Sequence, residues 1–375
     1  MKRLCDFAIA LCAALLMSPH PPLPGADLAL EITAESEPAC VAFDPVKPEF
    51  AVGRLSGKFI NIWSAETGKE ARTLRSHASN GVLDLAYSPD GKLLASVGRD
   101  QLIHIWYVGN GREICALKGH QKDTNAVAFS RDGTRLASGG ADKTLILWDV
   151  RTGQMIRKLE RHSDGIMALC FSPDGRYLAS AGADLAVRIW EADSGNWLRT
   201  MKGPVLPITC LAFTPDSKRI ACGDQDGRVY IYQAEDGKFV KNLGQHTWGG
   251  RSNWPITSIL FFSDGKQMIT AATDGTVKVW DMASGKFVHT IRAHVGGAAD
   301  MALSAKDKLL VTVGGSEPVR AAEGYKISTT WSRPDEDPKK TAKVWDASSI
   351  RTPLSHPTEP TPGATPPKPD KAARR

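Results

Sequence analysis

Five histidines, His77, His120, His162, His246 and His294, have the widest chemical repertoire in this 375-residue chain, because imidazole ligates metals and moves protons near neutral pH. Hydroxyl, imidazole and carboxylate side chains also recur together, and these are the parts of a nucleophilic triad. The surrounding sequence supports neither chemistry. Nothing resembles a nucleophile elbow, a Gly-rich phosphate loop ending in Gly-Lys-Ser/Thr, or an HExxH zinc motif. Asp224-Gln225-Asp226-Gly227 looks like a fragment of a calcium loop, but it lacks the third carboxylate and the closing Glu. No metal or other cofactor is expected.

The elements that carry these residues explain them better. SPDGKLLASVGRDQLIHIW (88–106), SRDGTRLASGGADKTLILWD (130–149), SPDGRYLASAGADLAVRIWE (172–191), TPDSKRIACGDQDGRVYIYQ (214–233) and SDGKQMITAATDGTVKVWD (263–281) are variations on one unit. Its closing aromatic falls at Trp63, Trp106, Trp148, Trp190, Tyr232, Trp280 and Trp345. The intervals are 43, 42, 42, 42, 48 and 65, so seven units are present, with two insertions late in the chain. Each unit reads as four short antiparallel strands separated by Pro-Asp-Gly, Gly/Asp and Thr-Gly or Ser-Gly turns, whose residues preset or permit the turn geometry. A lone sheet of this size leaves both faces wet. The units must therefore pack face to face around a common axis as a β-propeller.

The period, the Gly119-His120 pair and the Trp-Asp pairs at 148–149, 280–281 and 345–346 resemble the WD-repeat family over nearly all of residues 27–350. The resemblance implies an all-β, seven-bladed propeller of four-stranded antiparallel blades. It also implies a buried polar chain in each blade. The matching sets are His77, Ser96, Asp100 and Trp106; His120, Ser138, Asp142 and Trp148; His162, Ser180, Asp184 and Trp190; and His246, Thr270, Asp274 and Trp280. On this reading the histidines sit on different blades, too dispersed to share an ion, and the hydroxyls belong to packed networks. The unit ending at Tyr232 has Cys222 for the hydroxyl and no His near Pro204. The first lacks both His and Asp, and the last keeps His294 and Thr312 without a matching Asp. Residues 28–33, LALEIT, align with the fourth strand that the last unit lacks, so an N-terminal strand is expected to complete the seventh blade and suppress an open edge.

The repeat does not explain the insertions. One enlarges the loop before the sixth blade and brings Trp248, Arg251 and Trp254. The other, roughly Ser316 to Lys340, separates the second and third strands of the seventh blade and brings Arg320, Tyr325, Trp331 and Arg333. In the family's topology both loops emerge on one face, on neighbouring blades. Trp, Tyr and Arg are enriched at interface hot spots, so together they form a candidate partner-binding rim. The competing reading folds the aromatics back onto the propeller.

Composition and charge bound the rest. With 42% hydrophobic and 23% charged residues the chain can bury a core. The formal charge of +6 is concentrated at the ends: residues 27–350 hold 40 basic and 38 acidic side chains, which gives no electrostatic reason to expect nucleic acid. Residues 1–26, with a basic start and an apolar run of 11 residues from Phe7 to Met17, read as a secretory signal peptide; an uncleaved anchor is the alternative. No further stretch is long enough to cross a bilayer. Residues 351–375, with seven prolines between Pro353 and Pro369, read as a disordered tail. Past the signal, five cysteines remain, Cys40, Cys115, Cys170, Cys210 and Cys222, and a Cys210–Cys222 disulfide is left open.

The functional expectation is a secreted or periplasmic, non-catalytic scaffold that holds loops in fixed positions to bind a protein partner, in an oligomeric state the sequence does not define. The alternative is a propeller enzyme, a lactone hydrolase or a cofactor-dependent dehydrogenase, with its site at the central channel.

Overall fold

The computed structural model describes residues 28–33, 37–56, 59–75, 81–246, 254–294, 296–315 and 341–351. The signal peptide read in 1–26 and the tail from 352 onward lie outside them. The described strands pair into seven antiparallel sheets of four. Blades 1 to 6 are consecutive in sequence, at 38–75, 82–118, 124–159, 166–202, 208–245 and 256–292. Blade 7 takes three strands, Ala298–Leu303, Leu309–Gly314 and Thr341–Asp346, from the end of the propeller and its outer strand, Leu28–Thr33, from the start. The expected closure is thus formed, with Leu30 opposite Val344 and Ile32 opposite Ala342.

Burial peaks at the second strand of each blade and falls toward the outer wall. The second strand of each blade is almost wholly buried, as in Leu93–Gly98, because sheets on both sides cover it. The fourth meets solvent, and in Met155–Leu159 only Leu159 is buried. The first strands of successive blades touch around the whole ring, including blade 7 to blade 1. Seven apolar clusters match this, each shared by two adjacent blades. A closed ring needs as many interfaces as blades, and the seventh cluster spans the seam, where Ile32, Val311 and Val344 meet Val41 and Val52. Removing apolar surface from water in these wedges is the main stabilising term.

Polar groups fix the turns and the spacing between blades. In the turn between the first two strands of blade 2, Ser88 donates to Asp90 Oδ1 at 2.7 Å and accepts from Leu93 N at 2.9 Å. Gly91 follows at φ +68°, a left-handed conformation that explains the glycine of the repeated Asp-Gly pair. Near the axis, side chains reach backbone groups of the next blade: Asn125 Nδ2 donates to Ile166 O at 2.9 Å, and Asp84 Oδ2 accepts from Val127 N at 2.9 Å. On the outer wall Arg157 and Lys241 donate to Ser194 O and Met282 O, at 2.7 and 2.9 Å. These links hold the blades in register around the ring.

One point left open by the sequence is resolved, and one boundary moves. Cys210 and Cys222 lie on paired strands of blade 5, but Cys210 is opposite Gly223 and Cys222 opposite Leu211. They therefore point to opposite faces of the sheet, and both are free thiols. Arg351, assigned above to the tail, instead ends the short helix Ala347–Arg351, where it pairs with Asp264 and covers the Phe262 ring. Among the described residues no helix is long and apolar enough to cross a membrane.

Candidate binding face

The polar sets lie inside the blades. In blade 3, Trp148 Nε1 donates to Ser138 Oγ at 2.9 Å, and Ser138 Oγ lies 2.8 Å from His120 Nε2. His120 Nδ1 lies 3.1 Å from both oxygens of Asp142. The partners define the tautomer: the Asp142 carboxylate only accepts, so Nδ1–H donates to it, and Nε2 then accepts from the Ser138 hydroxyl, which itself accepts from the indole. Burial pushes the Asp142 carboxyl up, but hydrogen bonds from His120, Thr144 and Gln121 N outweigh it and hold the group well below the usual range. Blade 4 repeats the arrangement with Ser180 at 2.8 Å and Asp184 at 3.0 Å from His162. In blade 6 His246 lies 2.7 Å from Thr270 Oγ1 and 3.5 Å from Asp274. Burial lowers the pKa of His162 and of His246.

These distances match those of a hydrolytic triad, yet the arrangement cannot act as one. Ser138 and Ser180 are fully buried, and each hydroxyl already accepts from an indole. No substrate carbonyl reaches either oxygen.

Two blades satisfy the pattern in ways the sequence reading missed. In blade 2, Trp106 donates to Ser96 at 2.9 Å. Asp100 lies 3.1 Å from Nε2 of His104, a third-strand residue whose Nδ1 lies 2.7 Å from Glu113. His77 lies outside the described residues. In blade 7 Trp345 donates to Thr312 at 2.9 Å, and His294 Nε2 lies 3.0 Å from the same hydroxyl. Thr341 Oγ1 lies 3.3 Å from His294 Nδ1, the contact that Thr144 makes with His120 in blade 3 and Thr276 with His246 in blade 6. Blade 5 has no such chain; Tyr232 donates to Lys202 O at 3.3 Å. Blade 1 has Val52 where the hydroxyl would be, opposite Asn61, which donates to Thr73 and Glu70.

The loops that enter each blade and the turns between second and third strands share one face. The contacts fix this: His120, from an entering loop, meets Asp142 in a turn, and Gln225 N, in a turn, donates to Pro207 O, in an entering loop, at 3.0 Å. The stems of both insertions, at 246 and 254 and at 315 and 341, stand on this face at blades 6 and 7. Of the rim residues, Trp248, Arg251, Arg320, Tyr325, Trp331 and Arg333 lie outside the described residues. Trp254 is half-buried, with its ring against the cluster formed by Cys210, Val229, Ile256 and Trp280 between blades 5 and 6. Val205, in the loop entering blade 5, is 63% exposed between the buried Pro204 and Pro207. Among the described residues no group of three or more His, Cys, Asp or Glu is arranged to hold a metal.

Seven four-stranded blades in a closed ring define a β-propeller, and the indole–hydroxyl–imidazole–carboxylate chains narrow its class. A family model described as the first β-propeller of IFT122 matches residues 81–254, and one described as the WD domain, G-beta repeat, matches residues 237–281. The chain belongs to the WD-repeat β-propellers. It is similar to a periodic tryptophan protein 2 homolog of Dictyostelium discoideum, 35% identical over 85 residues, or 23% of this chain and 9% of that protein. It is also similar to nuclear distribution protein nudF of Emericella nidulans, 37% identical over 62 residues (16% and 14%). A third relative is the general transcriptional corepressor TUP1 of Saccharomyces cerevisiae, 34% identical over 64 residues (16% and 9%). In each case the match covers no more than 14% of the relative's own length.

Proposed function

We propose that this propeller is a non-catalytic scaffold that binds a protein partner through the face carrying the two insertions. The observation that supports this most is the division of labour among the polar groups. Hydroxyls, imidazoles and carboxylates suited to chemistry are consumed inside the blades, and departures from the repeat gather on one face at blades 5 to 7. Rigid blades hold those loops in fixed relative positions, so docking costs less ordering entropy. The partner is met outside the cytosol if residues 1–26 act as an export signal, which N-terminal sequencing of the mature protein checks.

The test of the face is a variant combining Trp254→Ala with deletion of 318–338. Affinity capture from the native extracellular fraction, compared with the wild type by mass spectrometry, is expected to lose its specific partner while the far-UV spectrum is unchanged. Retained capture refutes the assignment.

A further inference from the structure

We propose that the turn between the second and third strands of blade 5, with Trp254 laid against it, is a docking notch for an extended peptide segment of the partner, held through that segment's backbone carbonyls. This rests on the scaffold reading above and supplies the chemistry of the partner.

Blade 5 departs from the repeat at this turn. The register places Asp224 where blades 2, 3, 4 and 7 have Gly98, Gly140, Gly182 and Gly314. Asp224 is fully buried, and its Oδ1 accepts from Asp226 N and Arg228 N, both at 2.9 Å, which fixes the turn from within. Gly227 follows at φ +79°, and a Cβ there would come within 2.6 Å of Trp254 O. Only glycine lets the Trp254 backbone lie this close. On the other side the bond from Gln225 N to Pro207 O ties the turn to the loop presenting Val205. Three chain segments therefore converge on one junction.

Two side chains of these segments carry a donor without an acceptor. Gln225 Nε2 and Trp254 Nε1 are both shielded from solvent and have no hydrogen-bond partner among the described residues. The contrast with other indoles of the chain is direct: Trp106, Trp148, Trp190, Trp280 and Trp345 each donate to a hydroxyl at 2.8 to 2.9 Å. A buried N–H without a partner is costly, and an acceptor arriving from outside recovers that cost. Because the indole N–H gains nothing in its present seat, turning the ring outward gives up only apolar contact. Asp224 Oδ2 at this turn is also without a partner, but it is fully buried inside the blade, whereas the two donors belong to half-buried side chains, so their complement from outside is a pair of acceptors. Neutral carbonyls fit better than carboxylates, since Asp224 and Asp226 already place negative charge at this turn. Val205, held between two buried prolines, offers a seat for an aliphatic side chain of the same segment.

The test uses a phage-displayed library of linear 12-residue peptides panned against the full chain, with recovered peptides measured individually by calorimetry. Peptides recovered on the wild type are expected to bind Gln225→Ala, Val205→Asp and Trp254→Phe about tenfold more weakly, the size of one lost hydrogen bond or apolar seat. Trp254→Phe, which deletes an unbonded N–H, is expected to lower the melting temperature clearly less than Trp280→Phe, which deletes a bonded one. Recovery of no peptide, equal binding to all three variants, or a Trp254→Phe melt as low as that of Trp280→Phe overturns the notch. Deleting 318–338 separates this from the wider reading. Peptides lost on that deletion but kept by Gln225→Ala support the rim and overturn the notch. The reverse supports the notch whatever becomes of the rim.

Discussion

Thr341 Oγ1 lies 3.3 Å from His294 Nδ1, the contact that Thr144 makes with His120 at 3.3 Å in blade 3, where Asp142 also reaches the ring at 3.1 Å. A hydroxyl satisfies the ring nitrogen but cannot balance a proton's charge. Burial, aided by Lys343, pushes the His294 pKa down to about 3. An unfolded histidine titrates near about 6.5. Between these values the unfolded chain binds a proton that the folded chain refuses, so stability falls as pH drops from about 6.5 toward about 3 and is unaffected above. Thr341→Asp is expected to raise the His294 pKa and flatten that loss. Urea unfolding at a series of pH values between 7 and 4 checks this; the same slope in both proteins would sink it.

His104 has the opposite sign. Burial lowers its pKa, but Asp100 and Glu113 outweigh burial and leave it raised. Its contribution to stability is therefore complete below the unfolded value of about 6.5 and is lost as pH rises through the folded one. Glu113→Gln, which removes one of the two carboxylates, is expected to bring the His104 midpoint down, read from its ring proton shifts by NMR. A midpoint that stays in place would mean that Glu113 does not hold the charge.

Ser138 is expected to be chemically silent despite standing 2.8 Å from a histidine that itself faces a carboxylate. A fluorophosphonate probe should leave it unlabelled in the native protein. Ser138→Ala strands the Trp148 indole and His120 Nε2, and should cost about 1–3 kcal/mol of stability per buried group left unpaired. Labelling of Ser138, or a variant as stable as the wild type, would count against a purely structural role.

How much of this was legible in sequence follows from what a period records. Spacing between aromatics identifies units, and the fixed offsets from His120 to Ser138 and Asp142 place a network inside one of them. His104 escaped because alternation along its strand marks it only as one more residue between Ile103 and Ile105; that its ring reaches Asp100 and Glu113 depends on two turns at once. Thr341 escaped because the matching sets held only imidazole, hydroxyl, carboxylate and indole; it stands four residues before Trp345, as Thr144 and Thr276 stand four before Trp148 and Trp280. The type of Trp254 left it between a surface anchor and a ring folded back onto the propeller, and that ring lies partly against Cys210 and Ile256. Links such as Asn125 to Ile166 join neighbouring blades 41 residues apart, and no local pattern announces them.

The seam between blades 7 and 1 supplies the last prediction. Asp300 Oδ2 accepts from Val41 N at 3.0 Å across it, and Asp84 Oδ2 makes the equivalent bond from blade 2 to Val127 N at 2.9 Å. The two carboxylates do the same local job, but their surroundings differ. Blades 2 and 3 are joined by continuous chain, so a weakened interface there stays tethered. Blades 7 and 1 are held together by side chains and by the pairing of the N-terminal strand with Thr341–Asp346. Asp300→Ala is therefore expected to lower the melting temperature more than Asp84→Ala. Ile32→Ala, which empties a buried position of the seam cluster, should cost about 2–5 kcal/mol. Hydrogen exchange in the Asp300 variant should quicken first at the strands on either side of the seam. If instead Asp84→Ala is as damaging as Asp300→Ala, the ring has no weakest joint, and its closure contributes no more than any other interface.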